Sequence, residues 1–502
     1  MMSQEHRLEP HDEHNELLAR NVHPTDWTNP TPDGGRYHMV VVGAGTAGLV
    51  SAAGAAGLGA RVALIERHLM GGDCLNVGCV PSKGVIAAAR AWRAAADAAD
   101  RFGGPAVAGE GDFGAAMERM RALRAGISGH DSVKRFSDLG IDVYLGDATF
   151  TAPDAVTVGD QTLRFRRAVV ATGGRAAAPP IPGLEDVAYR TNETIFALTD
   201  LPDSLTVIGA GPIGCEMAQS FARFGTKVTI LDMADRVLPR EDPDASKIVL
   251  DALVADGVAA ELGSAIAKVE DDSGRIRVRY TQSGEDKEVS SAELLVAVGR
   301  RPNVDGLGLE AAGVEYGGRG VNVDSRMRTS NKRIFACGDV ASKFQFTHAA
   351  DAQARIVIQN ALFFGRARAD KLVIPWCTYT SPEVAHVGLL PGDEDRAVDT
   401  LTVPMGDVDR AILDGETDGF LRVHHRDGRI VGATLVAERA GDMIGEIALA
   451  MTHGIKLGQL SSTIHPYPTQ GEIMRKIGDL YRRGGLTPTV RRIFDTWFRW
   501  VR

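Results

Sequence analysis

Two stretches of this chain carry the same punctuation, and few folds satisfy both. Residues 39–66 read MVVVGAGTAGLVSAAGAAGLGARVALIE, and residues 205–232 read LTVIGAGPIGCEMAQSFARFGTKVTILD. Each is an apolar run, a glycine turn, a small-residue stretch of helical spacing and a second apolar run ending on a carboxylate, which is the pattern of a βαβ unit. Gly43, Gly45 and Gly48, and again Gly209, Gly211 and Gly214, make G-x-G-x-x-G. The first glycine permits the tight turn, the second lets a pyrophosphate reach the backbone, and the third lets helix pack on strand, with phosphate held at the helix N-terminus. Glu66 and Asp232 each lie 23 residues past the first glycine, where a carboxylate can accept hydrogen bonds from a ribose diol. One such fingerprint also arises wherever a helix packs closely on a strand. Two copies, each with an acid at the same offset, predict two dinucleotide sites. Asp232 would repel a 2′-phosphate, and Met233, Ala234 and Pro239 leave Arg236 as the nearby basic group, so the second site is expected to take NADH in preference to NADPH.

At 502 residues the chain predicts roughly three domains. The formal net charge of -9 repels phosphate backbones and excludes nucleic acid as a partner of the whole surface. The polar N-terminal residues lack the basic and apolar regions of a secretory signal. No apolar stretch reaches the roughly 18 residues needed to span a bilayer, so a cytoplasmic protein is expected. Residues 1–36, with Pro24, Pro30 and Pro32 and the turn Asp33-Gly34-Gly35, read as a loosely structured arm. Past residue 370 no third glycine fingerprint occurs. There FLRVHHRDGRIVGATLVA predicts a β-hairpin turning at Asp427-Gly428, in a separate α+β domain.

Five cysteines occur, at 74, 79, 215, 337 and 377, too few for a disulfide framework. In GGDCLNVGCVPSK, Cys74 and Cys79 can close a small disulfide ring. The same spacing opens one type of iron–sulfur site, but that needs further cysteines close by and the next is Cys215, so no metal is expected. A thiolate at Cys79 would sit at the start of the helix running through Lys83, where dipole and lysine lower its pKa. Cys215, Cys337 and Cys377 read as structural, and His424, His425 and His453 lack ligand spacing.

This segment resembles the redox-active stretch of the class I pyridine nucleotide-disulfide oxidoreductases, the family of glutathione reductase, lipoamide dehydrogenase and mercuric reductase. Further signatures of that family follow in order: VVATGG at 169–174, LVAVGRRPN at 295–303 and TSNKRIFACGD at 329–339. The resemblance implies an α/β fold with two Rossmann-type dinucleotide-binding domains, for FAD and NAD, and a C-terminal α+β dimerisation domain. The implied boundaries are 1–36 for the arm, 37–175 and 301–370 for a split FAD domain, 176–300 for the NAD domain, 371–485 for dimerisation and 486–502 for a basic tail. It implies that Cys79 is the thiolate against the flavin and Cys74 the thiol that meets substrate, with Lys83 and Glu216 paired near flavin N5. Asp339 would hold the ribityl chain, and the helix near Thr347 would aim its N-terminus, close to Ala349, at the flavin. Gly72, Thr172, Gly173, Gly299 and Gly338 would line the cofactors. Members usually end in His-x-His-Pro-Thr-x-x-Glu, with the second histidine as acid/base. Here the stretch is His465-Pro466-Tyr467-Pro468-Thr469-Gln470-Gly471-Glu472, so Tyr467 stands at the histidine's place. A tyrosine there is similar to mercuric reductase, although no cysteine follows Cys377 in this sequence.

The resulting expectation is a homodimeric flavoenzyme whose partner subunit completes each site with Tyr467 and Glu472. It would pass electrons from NADH through FAD and the Cys74–Cys79 disulfide to a thiol-reactive acceptor, a metal ion or small disulfide. A lipoamide dehydrogenase-like enzyme and a non-turnover redox sensor are the alternatives. Residues 474–502 hold eight basic and two acidic residues. Their last stretch places Ile493, Phe494, Trp497, Phe498 and Val501 on one helical face. Such a face is expected to pack on the enzyme body or the partner subunit, with peripheral contact to an anionic membrane as the alternative.

Overall fold

The computed structural model describes residues 8–107, 109, 111–390 and 398–502. The first fingerprint builds a parallel sheet whose strands Asp142–Leu145, Val62–Glu66, Tyr37–Val42 and Gln161–Val170 lie side by side in that order, with Ile334–Ala336 paired to the last. Tyr37–Val42 is buried on nearly every residue, as a central parallel strand covered on both faces must be. Its helix, Thr46–Gly57, is made almost wholly of small residues. That lets the later helix Thr347–Leu362 approach so closely that a Cβ on Gly54 would meet Ile358 Cδ1 at 2.5 Å. The two separate chain segments are thereby locked into one core.

Between them the second fingerprint forms its own parallel sheet, ordered Ala259–Leu262, Lys227–Asp232, Ser204–Ile208, Glu293–Val296. The antiparallel strands Ser264–Asp272, Arg275–Gln282 and Glu285–Ser291 follow its outermost strand in sequence. The chain leaves the first sheet through Gly174–Ala176 and returns through Arg300–Pro302, and these two strands pair antiparallel. A five-stranded antiparallel sheet, Pro375–Thr378, Glu383–Gly388, Arg429–Ala437, Phe420–Arg426, Asp399–Pro404, forms a further core with the helix Ala440–His453. The hairpin turns where expected, with Asp427 at φ 48° and Gly428 at φ 77°.

The N-terminal arm is not loose over its described part. Asp12 caps a helix, Glu13–Val22, whose Leu18 and Val22 are fully buried in the first core. Arg124 donates to Asn15 Oδ1 at 2.7 Å, Arg121 pairs with Asp12, and Trp27 Nε1 donates to the Val143 carbonyl at 3.1 Å. A turn closed by the Trp27 N–H on the Pro24 carbonyl at 3.2 Å follows the helix, and a few apolar and hydrogen-bonding residues anchor the strap. At the other end the helix Pro488–Trp500 buries no residue, so its apolar face does not pack on its own chain. No helix among the described residues is long and apolar enough to cross a membrane.

Candidate active site

The two glycine turns share one geometry. Gly43 and Gly209 hold φ of 99° and 111°, which L side chains rarely adopt. A Cβ on Gly48 would lie 1.8 Å from the Gly43 carbonyl oxygen, and one on Gly214 would lie 1.9 Å from that of Gly209. At the helix N-termini a Cβ on Gly211 would meet open space, whereas one on Gly45 would touch Gly72 Cα at 3.7 Å. Glu66 accepts from the Ala44 and His68 N–H groups at 2.6 and 2.8 Å, and Asp232 accepts from Ala210 and Ala234 at 2.6 and 2.7 Å. Each carboxylate therefore stitches its own turn while also lining the cavity. Burial pushes the Glu66 carboxyl up, against those two backbone bonds. Arg236 is turned to the Pro239 carbonyl, and Arg240 is the arginine of that turn that reaches the cavity.

Both turns open on one cavity of about 2580 Å³ that also holds Cys74, Cys79, Lys83 and Glu216. Gly45 and Gly211 cap the two helices without a side chain, so the backbone N–H groups of each N-terminus are able to take a phosphate. The chain reaches the cysteines through Gly71 and Gly72, at φ 88° and 57°. Gly72 has no alternative, since a Cβ there would meet Gly45 Cα at 2.7 Å.

Cys79 starts a 24-residue helix, Cys79–Phe102, and is exposed to the cavity with its Sγ 3.4 Å from Thr347 Oγ1. A hydrogen bond from Cys74, aided by Thr347 and the Lys83 ammonium, holds the Cys79 thiol down at about 6. The same bond and burial push Cys74 well above the thiol range. Cys79 is thereby the more acidic thiol of the pair. Lys83 is fixed by Glu216 at 3.0 Å and lies 4.4 Å over the Tyr379 ring, while the Tyr379 N–H donates to the other Glu216 oxygen at 2.9 Å.

The remaining expected residues divide. Gly299 and Gly338 adopt φ of 133° and 79° in the cavity wall, and the Gly338 N–H donates to Gln353 at 2.9 Å. Thr172 donates to the Asn303 carbonyl at 2.6 Å beside Gly173, which sits at φ 67°. Asp339 lines the cavity, where burial pushes its carboxyl up and Arg300, 3.2 Å away, opposes that. Ala349 is fully buried near the start of its helix, behind the lining. The C-terminal residues are elsewhere. His465 pairs with Glu446 at 3.0 Å, Glu472 is buried against Arg475, and Tyr467, 70% exposed, donates to Asp409 at 2.8 Å. That bond raises the pKa of the phenol. None of the three lines the cavity within one chain.

Sequence reasoning missed Arg300, which ties Asp73 to Asp339 and donates to the Gly174 carbonyl at 2.9 Å. Its signal was present in the GRRPN signature. Tyr379 was missed because its contribution is a ring under Lys83 and a backbone N–H, neither of which has a motif. Cys377, read as structural, is half-buried but reaches the cavity wall, with its Sγ 3.8 Å from Glu383. Among the described residues no group of three or more His, Cys, Asp or Glu could hold a metal ion.

Comparison with known proteins matches residues 37–354 to the family described as pyridine nucleotide-disulphide oxidoreductase and residues 374–477 to its dimerisation domain. The chain is 35% identical to a mercuric reductase of Streptomyces lividans over 455 residues, 88% of this chain and 95% of that one. It is 34% identical to a dihydrolipoyl dehydrogenase of Geobacillus stearothermophilus over 457 residues, again 88% and 95%. Among solved structures, the Cu(II) complex of the flavoprotein disulfide reductase RclA from Escherichia coli aligns with a TM-score of 0.79 at 28% identity, covering 89% of this chain and 99% of that one. LpdA from Mycobacterium tuberculosis aligns at 0.80 and 26%, covering 88% and 99%.

Proposed function

The chain belongs to the pyridine nucleotide-disulphide oxidoreductases, FAD-dependent enzymes that use NAD(P)H, and from that premise we propose that it is an NADH-dependent reductase of a thiol-reactive acceptor. The acceptor classes are a thiophilic metal ion, as in mercuric reductase, or a small disulfide. The observation that carries this reading is geometric: Cys74 and Cys79 line the cavity onto which both glycine turns open, with Cys79 at the start of its helix, its Sγ 3.4 Å from Thr347 Oγ1, and with Lys83 held by Glu216 at 3.0 Å in the same wall.

FAD would be held between Gly43, Gly45, Glu66, Gly72, Thr172, Gly173, Gly338 and Asp339, and when bound would supply two-electron redox chemistry between nicotinamide and the cysteine pair. NADH would be held by Gly209, Gly211, Asp232 and Gly299. Asp232 disfavours a 2′-phosphate by charge, and Arg236 is engaged with Pro239. Lys83 places a positive charge near Cys79, and Glu216 fixes its direction. Toward a disulfide acceptor, the Cys74 sulfur attacks one acceptor sulfur as its proton passes to the other, which leaves as a thiol. Cys79 then displaces the mixed disulfide, releasing the second thiol and closing Cys74–Cys79. Toward a thiophilic ion, the two sulfurs act together as ligands. In a homodimer, Tyr467 and Glu472 of the second subunit would complete the mouth of the site. A phenol with its pKa raised by Asp409 does not shuttle protons at neutral pH as an imidazole does, which favours the metal-ion class over disulfides.

The test is oxidation of NADH and of NADPH by the holoenzyme against Hg(II), Cu(II), oxidised glutathione, lipoamide and a quinone, repeated with Tyr467→His. The expected result is higher kcat/KM with NADH, turnover of a metal ion, and disulfide turnover weaker by about 10² to 10⁴, as lost acid/base catalysis costs, and partly restored by Tyr467→His. Strong lipoamide turnover by the wild type would move the assignment to a dihydrolipoyl dehydrogenase-like enzyme. No turnover with any acceptor would favour the redox-sensor reading.

A further inference from the structure

The helix Pro488–Trp500 stands apart from the chemistry and from every core of the chain. None of its residues is buried, and its aromatic side chains are bare: Trp497 is 52% exposed, Phe498 63% and Trp500 78%. At 100° per residue, Ile493, Phe494, Trp497, Phe498, Trp500 and Val501 fall in one continuous band. Arg491, Arg492 and Arg499 occupy the other side with a single acid, Asp495. None of these arginines has an ion-pair partner among the described residues. The helix is set off from its predecessor by Gly484, Gly485 and the Thr487 cap.

We propose that this helix lies flat on an anionic lipid bilayer and attaches the enzyme to it peripherally. Its 13 residues span about 20 Å, too short to cross a hydrocarbon core of about 30 Å. A groove on a protein would take the aromatic band alone and leave Arg492 and Arg499 in water. A bilayer surface uses both sides at once: Trp and Phe enter the headgroup–acyl boundary, while the guanidinium groups sit at the level of the lipid phosphates. Charge points the same way. The chain as a whole is acidic at -9, whereas residues 474–502 carry eight basic against two acidic residues, so an anionic surface attracts this end and repels the rest.

The experiment is co-sedimentation of the full-length holoenzyme with vesicles of phosphatidylcholine alone, or with about a third phosphatidylglycerol, at low and high salt. The wild type is compared with Trp497→Glu/Trp500→Glu and with Arg491→Glu/Arg492→Glu. The expected result is binding to the anionic vesicles, weakened by salt and by at least about tenfold in either variant, with NADH oxidation and particle mass unchanged. Absence of binding at low salt, equal binding by all three proteins, or equal binding to neutral vesicles would overturn it. A change of particle mass in the tryptophan variant would also overturn it, by showing that a second copy covers the band.

Discussion

Seven residues after the first glycine of each fingerprint, the two units part company. Val50 in the first packs against the apolar core, whereas Glu216 in the second is buried with one oxygen on Lys83 and the other on the Tyr379 N–H. Up to that position the turns are near-copies in φ, in the third glycine's contact and in the way a strand-end carboxylate stitches the loop. A phosphate cradle is thus a reusable part, and the chemistry is added one helical turn beyond it. The first unit leads through Gly71 and Gly72 to the cysteines, and the second sends a carboxylate back to the same place.

The largest effects should come from what the first unit delivers. Cys74→Ser and Cys79→Ser are each expected to lower turnover by roughly 10³-fold or more, as loss of a covalent nucleophile does. Their spectra should differ. The reduced holoenzyme should show a long-wavelength thiolate-to-flavin band that vanishes in Cys79→Ser and survives in Cys74→Ser. A band undiminished without Cys79 would reverse the two assignments.

The third glycines test whether the units are separable. Gly48→Ala and Gly214→Ala meet backbone oxygens at 1.8 and 1.9 Å, and overpacking of this kind costs about 1–3 kcal/mol or more. The strain is alike, but its consequence is not. Gly48→Ala is expected to lose bound flavin and melt earlier, whereas Gly214→Ala should keep its flavin and show a raised KM for NADH. Flavin-to-protein ratio and melting temperature read the difference. Equal flavin loss in both would mean that the two cradles act as one structure.

Much of this was legible in the sequence because it is written in backbone requirements. Gly43, Gly48, Gly209 and Gly214 answer to φ and to contacts under 2 Å, which few other residues satisfy, so the pattern names the fold. The Lys83–Glu216 pair and the ordered signatures carried the site. The arm was misread because Pro and Gly mark turns without saying whether Leu18 and Val22 between them find a core. Arg300 and Tyr379 act through contacts made between distant segments, and periodicity does not report such contacts. The placement of His465, Tyr467 and Glu472 away from the cysteine cavity of their own chain is likewise tertiary information.

The smallest effect, and the most specific, concerns the charges around Cys79. Its thiol is held below the ordinary value of 9.0, at about 6. The thiolate is therefore favoured above that pH and is lost as pH falls through it. Lys83 lowers this value and Glu216 raises it, so substitutions at the two ends of one ion pair should move the midpoint in opposite directions. Lys83→Met should shift it upward, reducing the thiolate and the rate at neutral pH. Glu216→Gln should shift it downward and be almost silent in thiolate content at pH 7, with its difference appearing only in acid. The amide oxygen that this substitution introduces can still accept the Tyr379 N–H, so the local backbone is kept. A pH titration of the long-wavelength band in the three proteins decides the matter. Midpoints that move together would show that Glu216 acts on Cys79 by placing Lys83 rather than by its own charge, and would make the carboxylate that distinguishes the second unit a positioning group.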